Sequence, residues 1–139
     1  SAVVVCSEDY AKSNNLNIMA YIRGMAISGC SPEVMGIGPV ISSMKALKRA
    51  GLDLKDIDVI EMNEAFAAQS LACVKELGID MSKLNIHGGA IALGHPLGAS
   101  GSRITGKAAS LLQTEGGRYA LSTMCVGGGQ GCATVLERA

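Results

Sequence analysis

The sequence predicts an α/β fold in which a mixed, mainly five-stranded sheet carries helices on both faces. Segments with strand character alternate with segments of helical periodicity along the 139 residues, and only a glycine-rich turn separates the last two strands. Glycine accounts for 18 of 139 residues, about 13% where about 7% is usual. This excess predicts sharp turns and close backbone contacts.

The first part of the chain contains two predicted strands and one predicted helix. The apolar residues 2–6 are typical of a buried strand, and the polar residues 8–15 that follow predict a helix. Residues 19–28 predict a long strand. Residues 32–39, which include two prolines and two glycines, then mark a loop.

The rest of the chain contains three further helices and three further strands. Val40, Met44 and Leu47 recur at helical spacing up to Gly51, a residue type that is common just beyond the end of a helix. Gly78 closes the next helix in the same way. The predicted helices cover residues 40–50, 63–74 and 100–113, and the predicted strands cover residues 58–62, 119–126 and 132–136.

Composition and charge exclude several classes of function. Twelve basic and twelve acidic side chains cancel, so the charge offers no reason to expect binding to nucleic acid or to an anionic membrane. No apolar run approaches the roughly 20 residues that span a bilayer. Five cysteines without a C-x-x-C pair argue against a disulfide scaffold or a zinc knuckle and favour a reducing cytoplasm. Chemistry on a small molecule remains the best expectation.

The length and the first residues indicate how much of a protein the sequence represents. A chain of 139 residues fits one domain, residues 1–139, with a core of its own. It begins on a predicted core strand, with neither an initiator Met nor a charged leader. We therefore expect a piece cut from a longer protein.

Polar or reactive groups lie beside strand ends or glycines in three segments, residues 63–66, 87–101 and 125–131. Ligands of open α/β sheets usually bind beyond the strand ends. Cys125 ends a predicted strand just ahead of three glycines, residues 127–129. Glycine amides can form an oxyanion hole, and a thiolate beside them can act as base or nucleophile. The alternative is a small buried cysteine without a chemical role.

A histidine in the second segment is a further candidate. His95 lies in a glycine-rich loop ahead of a helix, and Pro96 disfavours helical dihedrals at this position. Such a histidine can be an acid, a base or a donor to an oxyanion, although a lone histidine is often structural. His87 precedes it, but no acidic or thiol ligand lies at a supporting spacing, so we expect no metal site.

Asn63 lies between a predicted strand and a predicted helix. Asparagine is a good N-cap, so this residue could simply cap the helix. Its carboxamide could instead hold a water or a carbonyl in the crevice. Glu64 adds an acid, but the helix dipole favours a glutamate in the first turn whatever its function.

One apparent phosphate motif is rejected. Residues 101–107 match the pattern G-x-x-x-x-G-K, but Ala108 stands where a Ser or Thr is required to bind magnesium. The pattern G-x-G-x-x-G does not occur at all. The sequence therefore predicts neither a Walker-type phosphate site nor a Rossmann nucleotide site.

Together, the three segments resemble the thiolases. Each motif alone is weak, but the three occur in the family's order and approximate spacing, and the resemblance covers the whole chain. It implies one half of the thiolase fold, a C-terminal domain whose N-terminal domain is absent from the sequence. The motifs are Asn63-Glu64-Ala65-Phe66, Gly94-His95-Pro96 within the run from Gly88 to Gly101, and Cys125-Val126-Gly127-Gly128-Gly129.

The resemblance implies an acyl transfer that makes or cleaves the carbon–carbon bond of a 3-ketoacyl-CoA. In the family an N-terminal cysteine takes the acyl group, and no cysteine of this sequence lies in a similar context. Cys125 would be the acid/base at the α carbon of acetyl-CoA. His95 would activate the nucleophile and polarise the thioester oxygen, and Asn63 would hold the water that completes this oxyanion site. The Gly127 amide would belong to a second oxyanion hole, and Phe66 would line the acyl pocket.

The resemblance also implies substrates and partners. The substrates would be coenzyme A thioesters, with no permanently bound cofactor, and the fragment alone would be inactive without its N-terminal domain. The full-length protein would be a cytoplasmic homo-oligomer, a dimer or tetramer, in fatty acid metabolism. A related condensing enzyme such as a ketoacyl synthase is a weaker alternative, because the ending Cys-x-Gly-Gly-Gly at residues 125–129 favours a thiolase. An independent, non-catalytic interaction domain with the thiolase fold stays open as the second alternative.

Overall fold

Four strands and five α-helices make up the fold. The structure, a computed structural model, describes residues 1–139. Short 3₁₀ helices lie in the connections at Pro32–Ile37, Leu54–Asp56 and Met81–Lys83. The strands are β1 (Ala20–Gly29), β2 (Val59–Met62), β3 (Tyr119–Val126) and β4 (Gln130–Arg138), and the helices are α1 (Glu8–Ser13), α2 (Gly38–Ala50), α3 (Ala67–Leu77), α4 (Ala90–Leu93) and α5 (Leu97–Thr114).

The strands form one mixed sheet in the order β1-β4-β3-β2. β4 is antiparallel to both β1 and β3, whereas β2 and β3 are parallel. A parallel pair needs a long crossover, and the chain between β2 and β3 accordingly contains three helices, α3 to α5. Because parallel strands end at the same edge of a sheet, the residues that follow β2 and β3 come together there.

Helices cover both faces of the sheet, as predicted. On one face α2 and α3 enclose a core that includes Ile60, Leu121 and Val135. On the other face α5, which was predicted at residues 100–113, packs through Ala108 and Leu111. Complete burial of a Leu or Ile side chain stabilises the fold by about 1.5–3 kcal/mol, so these two layers hold the sheet edge in place.

The prediction of a fifth strand at residues 2–6 is wrong. These residues form no strand, and the side chains of Val4 and Val5 are 87% and 70% exposed. A run of β-branched residues favours a buried strand, but it does not specify a neighbouring strand with which to pair. Here no strand pairs with the run, which lies outside the sheet. Beyond β2 the sheet continues only as a single parallel bridge between Ile60 and Leu84.

One acid is buried in the sheet. The side chain of Glu61 is 1% exposed, and its Oε1 makes no hydrogen bond to the protein. Alternation along β2 places it on the face that α5 covers. Burial raises the pKa of this carboxyl to about 7, against the opposing attraction of Arg103 and Lys107 on α5. Glu61 is therefore protonated in mildly acidic solution, which lowers the cost of its burial.

We expect the protein to lose stability as the pH rises from about 4.5 to about 7. The Glu61 carboxyl titrates near its usual value of 4.5 when unfolded and near 7 when folded, so the folded state binds more protons in between. The loss is complete above about pH 7 and amounts to at most about 3 kcal/mol, at about 1.4 kcal/mol for each pKa unit. Glu61→Gln cannot ionise, so this variant should lose that part of the pH dependence in denaturant unfolding. An identical pH dependence in both proteins would contradict the assignment.

Candidate active site

Three of the predicted segments meet at the edge where β2 and β3 end. Asn63 follows β2 directly, and its amide donates to the Thr123 carbonyl of β3 at 3.0 Å. Beside it lies a hollow of about 410 Å³. The hollow contains four of the five predicted site residues, and its lining consists of Met35, Ala65, Phe66, His95, Leu97, Met124, Cys125, Val126 and Gly127.

Cys125 presents a thiol at the end of β3, where its side chain is only 6% exposed. Burial raises the pKa of this thiol, and its own backbone amide offsets the effect only in part. The resting group is therefore a thiol, and the thiolate is a strong base when it forms. The sulfur is thus suited to take and return a proton.

The glycine turn after Cys125 is sharp, as predicted, and two of its three glycines have a left-handed backbone. Gly128 and Gly129 have φ angles of +85° and +86°, which side chains rarely tolerate. The turn is held against the end of β1, because the Cys30 amide donates to the Gly129 carbonyl at 2.7 Å. Gly127 lines the hollow and has no atom of another segment within 4 Å of the place a side chain would take.

His95 is fixed between α4 and α5. Gly94 takes a φ of +91°, and Pro96 occupies the N-cap of α5. The ring Nδ1 lies 2.6 Å from the hydroxyl of Ser100, which is fully buried in the first turn of α5. This contact leaves Nε2 as the ring nitrogen that is available to the hollow. Sequence reasoning did not identify Ser100.

The structure rejects the interpretation of Asn63 as a helix cap. α3 begins at Ala67, with the extended residue Phe66 at its N-cap. The Asn63 side chain is fully buried, and neither its oxygen nor its nitrogen makes a hydrogen bond to the protein. A buried amide without a partner costs about 1–3 kcal/mol. Its donor and acceptor are both unpaired within the protein, which suits a buried water, and Asn63 does not itself line the hollow.

Glu64 also differs from its predicted surroundings, since it precedes α3 instead of occupying its first turn. One carboxylate oxygen accepts from Asn85 Nδ2 at 2.7 Å, and the other accepts from the Ile91 amide at 3.0 Å. Asn85 in turn accepts from the Met62 amide and donates to the Met62 carbonyl, both at 2.9 Å. Sequence reasoning missed Asn85, whose φ of +45° gives no signal in a sequence.

The remaining candidates lie away from the hollow. His87 is half-exposed and faces Lys107, with 2.8 Å between Nδ1 and Nζ. The apparent P-loop, residues 101–107, lies inside α5 and forms no loop around a phosphate.

No group of three or more His, Cys, Asp or Glu side chains is placed to hold a metal ion. No helix combines the length and the apolar character needed to cross a membrane.

The fold and the three motifs define the class of the protein. Residues 16–138 match the family described as thiolase, C-terminal domain. This match covers most of the chain and includes all three motifs, so the chain belongs to the thiolase family as its C-terminal domain. The first 15 residues, among them the segment wrongly predicted as a sheet strand, lie outside the match.

Individual relatives agree with this assignment. The chain is 56% identical over 141 residues to a 3-ketoacyl-CoA thiolase of Vibrio cholerae and covers 36% of that protein, with 99% of the chain aligned. It is 54% identical over 136 residues to human mitochondrial 3-ketoacyl-CoA thiolase, of which it covers 34%, with 98% of the chain aligned. The chain thus spans about a third of the length of the curated relatives it matches.

Solved structures have the same fold. A crystal structure of human mitochondrial 3-ketoacyl-CoA thiolase superimposes with a TM-score of 0.94 at 53% identity, covering 96% of this chain and 34% of that one. The Bacillus anthracis acetyl-CoA acetyltransferase gives a TM-score of 0.93 at 42% identity, with the same coverage of 96% and 34%. The human enzyme has also been crystallised in complex with CoA.

Proposed function

We propose that this chain is the C-terminal domain of a thiolase that transfers acyl groups between coenzyme A thioesters. The full-length enzyme makes or cleaves the carbon–carbon bond of a 3-ketoacyl-CoA. The observation that carries the proposal is that Phe66, His95, Cys125 and Gly127, from three separate segments, line one hollow. The names of the relatives, 3-ketoacyl-CoA thiolase and acetyl-CoA acetyltransferase, support the same chemistry.

Cys125 is the acid/base of the proposed reaction. In the synthetic direction its thiolate takes a proton from the α carbon of acetyl-CoA, and the resulting enolate attacks the acyl group held on the enzyme. In the degradative direction its thiol returns that proton to carbon. Burial raises the pKa of the thiol, so the thiolate binds a proton strongly, as the removal of a weakly acidic proton requires.

His95 and Asn63 stabilise the enolate oxygen. The Ser100 contact at Nδ1 leaves His95 Nε2 to donate to this oxygen. Asn63 holds a water that supplies the second donor, and its fully buried, unpartnered amide supports this role. Loss of one such donor typically lowers kcat by about 10²–10³-fold.

The acylated cysteine comes from outside these 139 residues. None of the other four cysteines lines the hollow. The N-terminal domain therefore supplies the nucleophile, which His95 activates, and the Gly127 amide completes an oxyanion hole for the acyl group. Phe66 and Leu97 flank the hollow with 62% and 82% of their side chains exposed, which suits an acyl pocket that the N-terminal domain closes.

Thiolysis assays on two proteins test this function. The 139-residue chain alone is expected to show no turnover of acetoacetyl-CoA or of longer 3-ketoacyl-CoAs, because it lacks the nucleophile. The full-length protein is expected to cleave at least one of them in the presence of coenzyme A. Turnover by the 139-residue chain alone would refute the proposal that the site is shared with an N-terminal domain. Inactivity of the full-length protein on 3-ketoacyl-CoAs of every acyl length would refute the thiolase assignment.

The cellular setting belongs to the same proposal. The full-length protein is a cytoplasmic homo-oligomer, a dimer or tetramer, in fatty acid metabolism. Five free thiols suit a reducing compartment, and the names of the bacterial relatives suit the metabolic role. Sedimentation of the full-length protein measures the oligomeric state, and a monomer would contradict this part of the proposal.

A further inference from the structure

The two segments that carry Asn63 and His95 are joined by a polar clamp formed by Glu64 and Asn85. Glu64 directly follows Asn63, and Asn85 begins the loop that leads to α4 and His95. Asn85 is 8% exposed. The Asn85 end of the clamp is therefore shielded from water, where hydrogen bonds are stronger than on a surface. Glu64 is partly exposed, and its hydrogen bond with the Ile91 amide lies at the surface.

The orientation of the Asn85 amide is unambiguous. Its oxygen must face the Met62 amide, which can only donate, so its nitrogen faces the Met62 carbonyl and Glu64 Oε1. Glu64 then uses its second oxygen to accept from Ile91 in the first turn of α4. A carboxylate is required at position 64, because both of its neighbours are donors.

The backbone on the far side of the clamp is shaped to admit the carboxylate. A side chain at Gly89 would overlap all three atoms of the Glu64 carboxyl group. From Ile91 the contact continues through α4, since the Gly94 amide donates to the Ala90 carbonyl at 2.7 Å, and His95 follows directly. The clamp thus sets the position of the histidine loop relative to the end of β2.

We infer that Glu64 and Asn85 are positioning residues that set the distance between Asn63, which holds the water of the proposed oxyanion site, and His95, which donates to the enolate oxygen. This inference rests on the proposed function. Asn63 and His95 lie 32 residues apart in the chain, so the distance between them depends on contacts between their two segments. A misplacement of about 1 Å in such a site can cost about 100-fold in rate. Neither residue lines the hollow.

The test uses the full-length protein and a swap of polarity. Glu64→Gln keeps the shape of the side chain, but its amide nitrogen must face a donor, either Asn85 Nδ2 or the Ile91 amide. Asn85→Asp sets two carboxylates against each other. The double variant Glu64→Gln with Asn85→Asp restores a donor–acceptor pair between the two side chains, and the glutamine introduced at position 64 keeps an oxygen for Ile91. It does not restore the donor that Asn85 Nδ2 supplies to the Met62 carbonyl. Glu76→Gln, on α3 and outside the clamp, is the matched control.

Each single variant should lower kcat for exchange of the acetyl-CoA α protons by about 10–100-fold, with KM within about 3-fold of wild type. The double variant should be clearly less impaired than the product of the two single losses, because only the contact between the two side chains is restored, and Glu76→Gln should match wild type. Hydrogen exchange should quicken in residues 89–96 of Glu64→Gln but not in β3 or β4. Full activity of Glu64→Gln, or losses that simply multiply in the double variant, would overturn the clamp. A wild-type protein without any exchange would instead refute the proposed function.

Discussion

Replacing Cys125 by alanine in the full-length protein should abolish the exchange of acetyl-CoA α protons with solvent. The thiol is the only acid or base besides His95 among the residues that line the hollow. A positioned base contributes about 10²–10⁴-fold to such a proton transfer, so we expect a loss of at least this size. Deuterium incorporation into acetyl-CoA, followed by mass spectrometry, measures it directly.

A second half-reaction separates loss of chemistry from loss of structure. In the proposed reaction, transfer of the acetyl group from acetyl-CoA to the N-terminal nucleophile breaks a thioester bond and moves no α proton, so the Cys125→Ala protein should still become acetylated by acetyl-CoA. Cys132→Ala is the matched control, because Cys132 pairs with Met124 in the adjacent strand position and does not line the hollow. The control should exchange α protons at the wild-type rate. Normal exchange in Cys125→Ala would remove this thiol from the role of base.

The second large effect concerns the turn that follows this cysteine. A side chain at Gly129 would overlap the Cys30 carbonyl oxygen and lie 3.0 Å from the Pro32 nitrogen. Its φ of +86° adds a backbone penalty of about 1–2 kcal/mol. Both neighbours are backbone atoms, which cannot rotate away. Gly129→Ala should therefore destabilise the fold by about 3 kcal/mol, as measured by denaturant unfolding.

The matched control for this substitution is Gly29→Ala, at the end of β1. Gly29 has an ordinary φ, and no atom of another segment lies within 4 Å of the place that an alanine methyl group would take. Alanine should leave the stability within about 0.5 kcal/mol of wild type. Equal stability of the two variants would show that the turn can shift away from Cys30 without cost, which would contradict the proposed close contact.

Much of the sheet was predictable because its signals are local. β3 was predicted with its observed bounds, since apolar residues lead up to a triple glycine that must turn. The candidate roles of Cys125 and His95 were also predicted from local signals, namely the glycines and the proline that lie next to them in the sequence. Phe66 and Gly127 were placed at the site by the family resemblance, and the structure puts all four side by side around the hollow.

Three features depend on partners that are distant in the sequence, and these were not predictable. Asn63 has the residue type and the position of a helix cap, and only its burial without a partner, ahead of a helix that begins at Ala67, excludes that role. Glu64 binds Asn85 and Ile91, more than 20 residues away. Periodicity cannot register such contacts, because it reports which face of an element is apolar and not which polar groups meet across a loop.

The sequence by itself determined the α/β class, the order of the four strands and of helices α2, α3 and α5, the thiolase motifs and the thiol at the end of β3. These depend on residue type and spacing along one segment. Only the tertiary structure decided that residues 2–6 lie outside the sheet, that Glu61 is buried with a raised pKa, and that a carboxylate clamp joins the asparagine and histidine segments. Each of these depends on which atoms of remote segments come within contact distance, and that is set by the packing of the two helical layers on the sheet.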